Sequence, residues 1–252
     1  MQLDAARLRE ALGLAPDEVP RALILEGSWW QRQRNEWRLS RLDEPRELGF
    51  PELYLGRYAG IPVLYSCVYG AARAVEPVDL FSRLGARLVV QIGSCGALQE
   101  HVRLGDVVLP QRVRIGEGAS QYYGGSEWAE VDDVWARAAQ AALAERGITV
   151  HAGSFLTTSA LFAQSPELID EWASRGYLGV DMETSAVFTA AHAFGMEAVS
   201  LVFAWDELYR GRSFLDPLTA DEQRAHEAAN TAIYEVALEL AVIAARKEVR
   251  VV

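Results

Sequence analysis

Apolar residues along this chain fall into two alternating kinds of segment. Short, nearly unbroken apolar runs at residues 22–26, 61–68, 86–92, 106–109, 150–158 and 197–205 have the length and composition of strands. Runs this continuous belong to strands covered on both faces, as in parallel or mixed sheets. Helices fit between them at 77–84, 132–146, 166–175 and 182–194. Each of these is followed at once by a glycine (Gly85, Gly147, Gly176, Gly195), the residue that accepts the left-handed conformation at a helix end. A longer helix opens at Thr219-Ala-Asp-Glu222, a capping-box pattern, and runs to about Lys247. Strands alternating with helices predict an α/β fold. No repeat, low-complexity linker or composition break divides the chain. One domain over residues 1–252 is expected, with 1–20 as an N-terminal extension and 219–247 as a C-terminal helix.

In such sheets ligands sit at the carboxyl ends of strands. That directs attention to the junctions after Glu26, Val68, Ile92 and Trp205. The sharpest is Gln91-Ile92-Gly93-Ser94-Cys95-Gly96, where an apolar strand runs into Gly-Ser-x-Gly. The residues read equally as an ordinary tight turn or as a small anion cradle of amides and the Ser94 hydroxyl. Cys95 reads as a packing residue, since nothing local supplies a base or a positive field. A second feature is Asp181-Met182-Glu183, opening an apolar helix. Its carboxylates suit the positive end of the helix dipole, or hydrogen bonding to a vicinal diol with Met182 as a soft wall. The third is Asp206 after the strand ending at Trp205, placed to cap a helix or to donate a proton.

Composition narrows the class. The chain has 252 residues, 50% of them hydrophobic, enough for a full core. A net charge of −11 argues against a nucleic-acid-coating protein. Trp29-Trp-Gln-Arg-Gln-Arg34 reads as a helix with its tryptophans packed inward, because Glu36, Asp43 and Glu44 interrupt any basic arm. No apolar run approaches the ~20 residues that span a bilayer. Two cysteines, Cys67 and Cys95, make no disulfide framework, so a reducing cytoplasm is the expected setting. The 24 basic residues are arginines except for Lys247, and arginine grips anions with a fixed fork.

Taken together, Gly93-Ser-Cys-Gly-Ala, Leu104-Gly-Asp-Val-Val, Gly179-Val-Asp-Met-Glu and Asp206 after a strand resemble, in order and spacing, the nucleoside phosphorylase-I family. That family includes purine nucleoside phosphorylases, uridine phosphorylases and methylthioadenosine nucleosidases. The resemblance covers roughly residues 20–245. It implies a single α/β domain around a distorted, partly barrel-like mixed sheet, and a homo-oligomer built from dimers, up to a hexamer. It also implies cleavage of an N-glycosidic bond, with phosphate as co-substrate and with no metal or organic cofactor.

Carried over residue by residue, Ser94 and Gly27 contact phosphate, Met182 and Glu183 hold the ribose, and Phe162 stacks on the base. Asp206 protonates the leaving purine, and its presence tilts the expected base away from uracil. Arg224 assists that aspartate, with Arg210 and Arg212 as competitors. Arg46 resembles an arginine contributed by a neighbouring subunit, and Arg73 lies in a loop that lines the phosphate site. Two departures stand out. The first phosphate loop reads Gly27-Ser-Trp-Trp-Gln-Arg32, with its arginine displaced to Arg32 or lost. Gln91 stands where phosphorylases place another arginine. Phosphorolysis of purine nucleosides is the leading expectation. Hydrolysis, with Glu26 as the base for water, is the alternative, and a non-catalytic nucleoside-binding protein on the same fold is a third.

Overall fold

A computed structural model describes residues 4–131 and 133–247. Ten strands form one mixed sheet: β1 (Ala22–Gly27), β2 (Asp43–Glu47), β3 (Tyr54–Tyr58), β4 (Ile61–Val68), β5 (Leu88–Ala97), β6 (Val107–Gly116), β7 (Trp128–Glu130), β8 (Val150–Thr158), β9 (Gly179–Asp181) and β10 (Glu197–Glu207). The spatial order is β10-β6-β8-β9-β5-β1-β4-β3-β2, with β7 on β6. Because β10 also pairs with β5, the strands β5, β10, β6, β8 and β9 close on one another. This closure makes the sheet partly barrel-like, and β1 to β4 continue it as an open wing. β1, β4, β5 and β10 run parallel, so their carboxyl ends gather at one rim, while β6, β8 and β9 run parallel to one another and antiparallel to that set.

Helices cover both faces, which is why the central strands are apolar throughout. On one side α1 (Ala5–Leu12), α3 (Ala71–Ser82) and α6 (Thr184–Ala193) bury Leu8, Leu12, Val78, Phe81, Val187 and Phe188 against the sheet. On the other, α4 (Asp133–Glu145) and α7 (Ala220–Lys247) bury Trp135, Leu143, Ile233, Tyr234 and Leu240. The remaining helices are α2 (Gln31–Leu39) and α5 (Pro166–Ser174). By length and composition α7 is apolar enough to cross a membrane. Here its apolar face is core. Its start is the expected capping box: Thr219 Oγ1 accepts from the Glu222 amide at 3.3 Å, and Glu222 accepts from the Thr219 amide at 2.8 Å.

Several expected boundaries move. The helix expected at 77–84 begins six residues earlier at Ala71, and Pro77 lies inside it. Proline suits a first turn, but here the preceding residues pack Ala71, Ala74 and Val75 into the core, and that burial sets the start. The expected start at Asp132 lies outside the described residues. The strand expected to stop at Ile92 continues to Ala97, pairing Gly93 with Gly27, Ser94 with Phe203 and Cys95 with Ala204. The Gly-Ser-Cys-Gly segment is therefore extended ladder. It is neither a tight turn nor an open cradle of amides.

Candidate active site

The ends of β1, β5 and β10, with β9 antiparallel beside β5, enclose a cleft of about 820 Å³ of empty space, its open mouth included. Gly27, Ser94, Met182, Glu183 and Asp206 all line it, brought together from four different strand ends and the start of α6. The Ser94 hydroxyl has no partner among the described residues. Cys95 also lines the cleft, but burial pushes its thiol well above the ordinary range, as suits a packing residue.

Glu183 follows β9, and its carboxylate occupies the space beside Gly27. A Cβ at Gly27 would lie 2.4 Å from Glu183 Oε2, so any larger residue at this strand end would displace that carboxylate. The Gly70 amide donates to Glu183 Oε1 at 2.6 Å. Burial, then the nearby Asp181 charge, pushes the Glu183 carboxyl upward. Asp181 itself is occupied in structure. It accepts from Thr157 Oγ1 at 2.7 Å and from the Thr184 amide at 3.0 Å, anchoring the first turn of α6. Met182 sulfur accepts from the Tyr69 hydroxyl at 3.1 Å, which fixes the wall beside Glu183.

Asp206 owes its position to a bulge. The register between β10 and β5 shifts between Ala204 and Asp206, leaving Trp205 as the extra residue and turning the Asp206 carboxylate over Gly96. A Cβ on Gly96 would come within 3.0 Å of Asp206 Oδ1. Burial pushes the Asp206 carboxyl up to about 7, partly opposed by hydrogen bonding with the Phe214 backbone. The group is thus poised to carry a proton at neutral pH and to release it to an acceptor.

The arginines carried over by resemblance lie elsewhere. Arg224 pairs with Asp221 on the exposed start of α7, away from the cleft lining. Arg212 holds Glu207 at 3.1 Å and Glu222 at 2.7 Å, and Arg210 leans on Tyr209, so neither serves Asp206. Arg73 engages Glu76 and the Pro51 carbonyl. Arg46 donates to Glu18 at 2.7 Å and to the Gly13 carbonyl, in a separate depression, and Arg32 pairs with Glu36. Among the described residues lining the cleft there is no arginine, lysine or histidine, while Asp181, Glu183 and Asp206 are all acids. Gln91 does not reach the cleft. Its Oε1 accepts from Thr184 Oγ1 at 3.0 Å and from Ser200 Oγ, tying α6 to the sheet.

Phe162 sits on a short 3-10 turn and is 80% exposed, with its ring centroid 5.5 Å from that of Trp29, which lines the cleft. Its neighbours Leu161 and Gln164 line the cleft, together with Trp29 and Phe214. Trp29 gathers Tyr69, Phe162 and Phe214 around it at 5.4–5.8 Å between ring centroids. No spacing signal marks Trp29, because its neighbours come from distant loops.

Glu26 is no free base. Arg38 grips it with two hydrogen bonds of 2.8 and 2.9 Å, Tyr65 donates at 2.9 Å and Arg34 Nε lies 3.4 Å away, all beneath the first loop. Burial alone would raise its pKa, but the Arg38 charge and hydrogen bonds, with Arg34 and Tyr65, outweigh that and hold it below the ordinary 4.5. Replacing Glu26 by Gln strands two arginines in the interior. A loss of about 3–5 kcal/mol is expected in urea unfolding at pH 7. The loss should shrink as the pH falls through the carboxylate range, where the native pair itself discharges.

A mixed, partly closed sheet carries the buried acids Glu183 and Asp206 beside a cleft of small-molecule size. The sequence profile of the phosphorylase superfamily matches residues 40–246, and the chain belongs to that family. Relatives include a DeoD-type purine nucleoside phosphorylase of Alkaliphilus metalliredigens (strain QYMF), 29% identical over 167 residues that cover 65% of this chain and 68% of the relative. A guanosine phosphorylase of Halorubrum lacusprofundi is 31% identical over 130 residues, about half of either chain (51% and 54%). The solved uridine phosphorylase of Vibrio fischeri ES114 shares the fold, with a TM-score of 0.76 at 22% identity over 90% of this chain and 93% of that one.

Proposed function

We propose that the protein is a pentosyltransferase that cleaves the N-glycosidic bond of purine nucleosides, with phosphate as nucleophile. The observation that carries this reading is the buried Asp206, held near neutrality over the same cleft that Glu183 and Met182 line. In this reading Glu183 accepts hydrogen bonds from the ribose 2′- and 3′-hydroxyls, which replace the hydration that burial removed. The C1′–N9 bond breaks with its electron pair going to the base, and Asp206 gives its proton to N7 as that charge develops. A phosphate oxygen then forms the new bond to C1′. The purine-specific relatives support the choice of base.

The cation-free lining favours a second reading, attack by water, because a phosphate dianion among three acids requires positive charge from elsewhere. In the phosphorolytic reading that charge comes from a second copy of the chain, with Arg46 as its donor. The two readings separate on the sugar product at saturating nucleoside as phosphate rises from zero to millimolar. Phosphorolysis predicts ribose 1-phosphate at a phosphate-dependent rate, lost in Arg46→Ala. Free ribose at a rate indifferent to phosphate replaces phosphorolysis by hydrolysis.

A further inference from the structure

Behind the cleft, between α2, the end of β10 and α7, lies a second concavity lined by Trp30, Gln33, Arg34, Trp37, Trp205 and Asn230. It shares Trp30 and Trp205 with the cleft. Three indole rings wall it: Trp30 is half exposed, Arg38 lies over the Trp37 ring at 4.3 Å and Arg34 over the Trp205 ring at 5.8 Å. An aromatic guest would therefore meet both ring surface and positive charge. Of the polar groups facing it, Gln33 offers a donor or an acceptor, while Arg34 and Asn230 present donors, for reasons fixed by the buried ion cluster beneath.

Arg38 is saturated. Besides Glu26 it donates to Asn230 Oδ1 at 2.8 Å and to the Asn230 carbonyl at 3.0 Å. Since a guanidinium only donates, Asn230 must turn its oxygen to Arg38, and only its NH₂ is left for the groove. Arg34 approaches Glu26 only through Nε, at 3.4 Å and out of line for a hydrogen bond. Its terminal nitrogens have no partner among the described residues. One carboxylate faces two guanidiniums, and Tyr65 stays neutral because burial pushes its pKa well above 10. The cluster therefore keeps one uncompensated positive charge, with Arg34 85% covered at the groove wall. A buried surplus charge is costly until an anion meets it.

We propose that this groove is a binding site for a planar aromatic anion, its ring between the tryptophans and its charged group on Arg34 and Asn230. The site adjoins the nucleoside cleft across Trp30 and Trp205 and does not depend on which glycosidic reaction occurs there. Occupancy bears on the cleft through Trp205, the bulged residue that sets the direction of Asp206.

The probe is 1-naphthoate, titrated against tryptophan fluorescence and compared with its neutral counterpart 1-naphthalenemethanol. On the unsubstituted protein, saturable binding of the carboxylate at least tenfold tighter than the alcohol is expected. Trp37→Leu, which alters the groove and not the cleft lining, and Arg34→Gln should each weaken naphthoate binding tenfold or more. Arg38 retains its two bonds to Glu26 in both variants, and thermal unfolding verifies that they remain folded. The proposal is overturned by absence of saturable binding, by equal affinity for the two probes, or by naphthoate binding that neither substitution weakens.

Discussion

Asp206→Asn lowers kcat on purine nucleosides by about 10²–10⁴-fold while KM changes little, because the proton is needed in the transition state and not for binding. The same substitution stabilises the free protein at alkaline pH. A carboxyl raised from 3.8 to about 7 by burial is at full advantage below its unfolded value, where both states are protonated. That advantage is lost as pH rises through 7 and the ionised form must be kept in a dry site. A shift of this size is on the order of 4 kcal/mol at pH well above 7. Asn carries no such penalty, so its melting temperature should exceed that of the native chain at pH 8.5 and converge with it near pH 4. An Asn variant with native turnover removes Asp206 from the reaction.

Glu183→Gln should cut turnover of ribonucleosides by about 10–100-fold and that of 2′-deoxyribonucleosides by only a few-fold. The ribose hydroxyls replace hydration that burial removed and so favour the ionised carboxylate; the amide is a neutral acceptor in its place, and only the ribonucleoside presents the 2′-hydroxyl to it. Glu183 is held against Gly27 and the Gly70 amide by contacts a glutamine oxygen reproduces, so the fold persists. An equal fall for both substrate types assigns Glu183 to the start of α6 alone.

The strand end carrying Asp206 and the helix start carrying Glu183 were legible in the sequence, because continuous apolar runs and glycine stops are local signals. The three-residue strand β9 before Glu183 was too short to give one. The Gly27–Glu183 contact was not legible, since a glycine that makes room for a side chain 156 positions away leaves no mark in either segment. Length misled at β5: Gly93 and Gly96 look like punctuation, yet they remain in the ladder, where Gly27 presses on Gly93 and Leu208 and Asp206 press on Gly96. The arginines show the limit of matching residue types. Arg34 and Arg38 follow one another at helical spacing, and nothing in that spacing reveals Glu26 as their shared partner. Likewise nothing in the spacing of Phe162 reveals that its ring packs on Trp29, which comes from a distant loop.

The central claim, that a buried acid at the end of β10 selects and protonates a purine, is met most directly by turnover of inosine, adenosine and uridine by one preparation at pH 7 with phosphate present. The account predicts kcat/KM for at least one purine nucleoside more than 100-fold above that for uridine, with the difference collapsing in Asp206→Asn. Uridine turned over as well as the purines, or better, would contradict it.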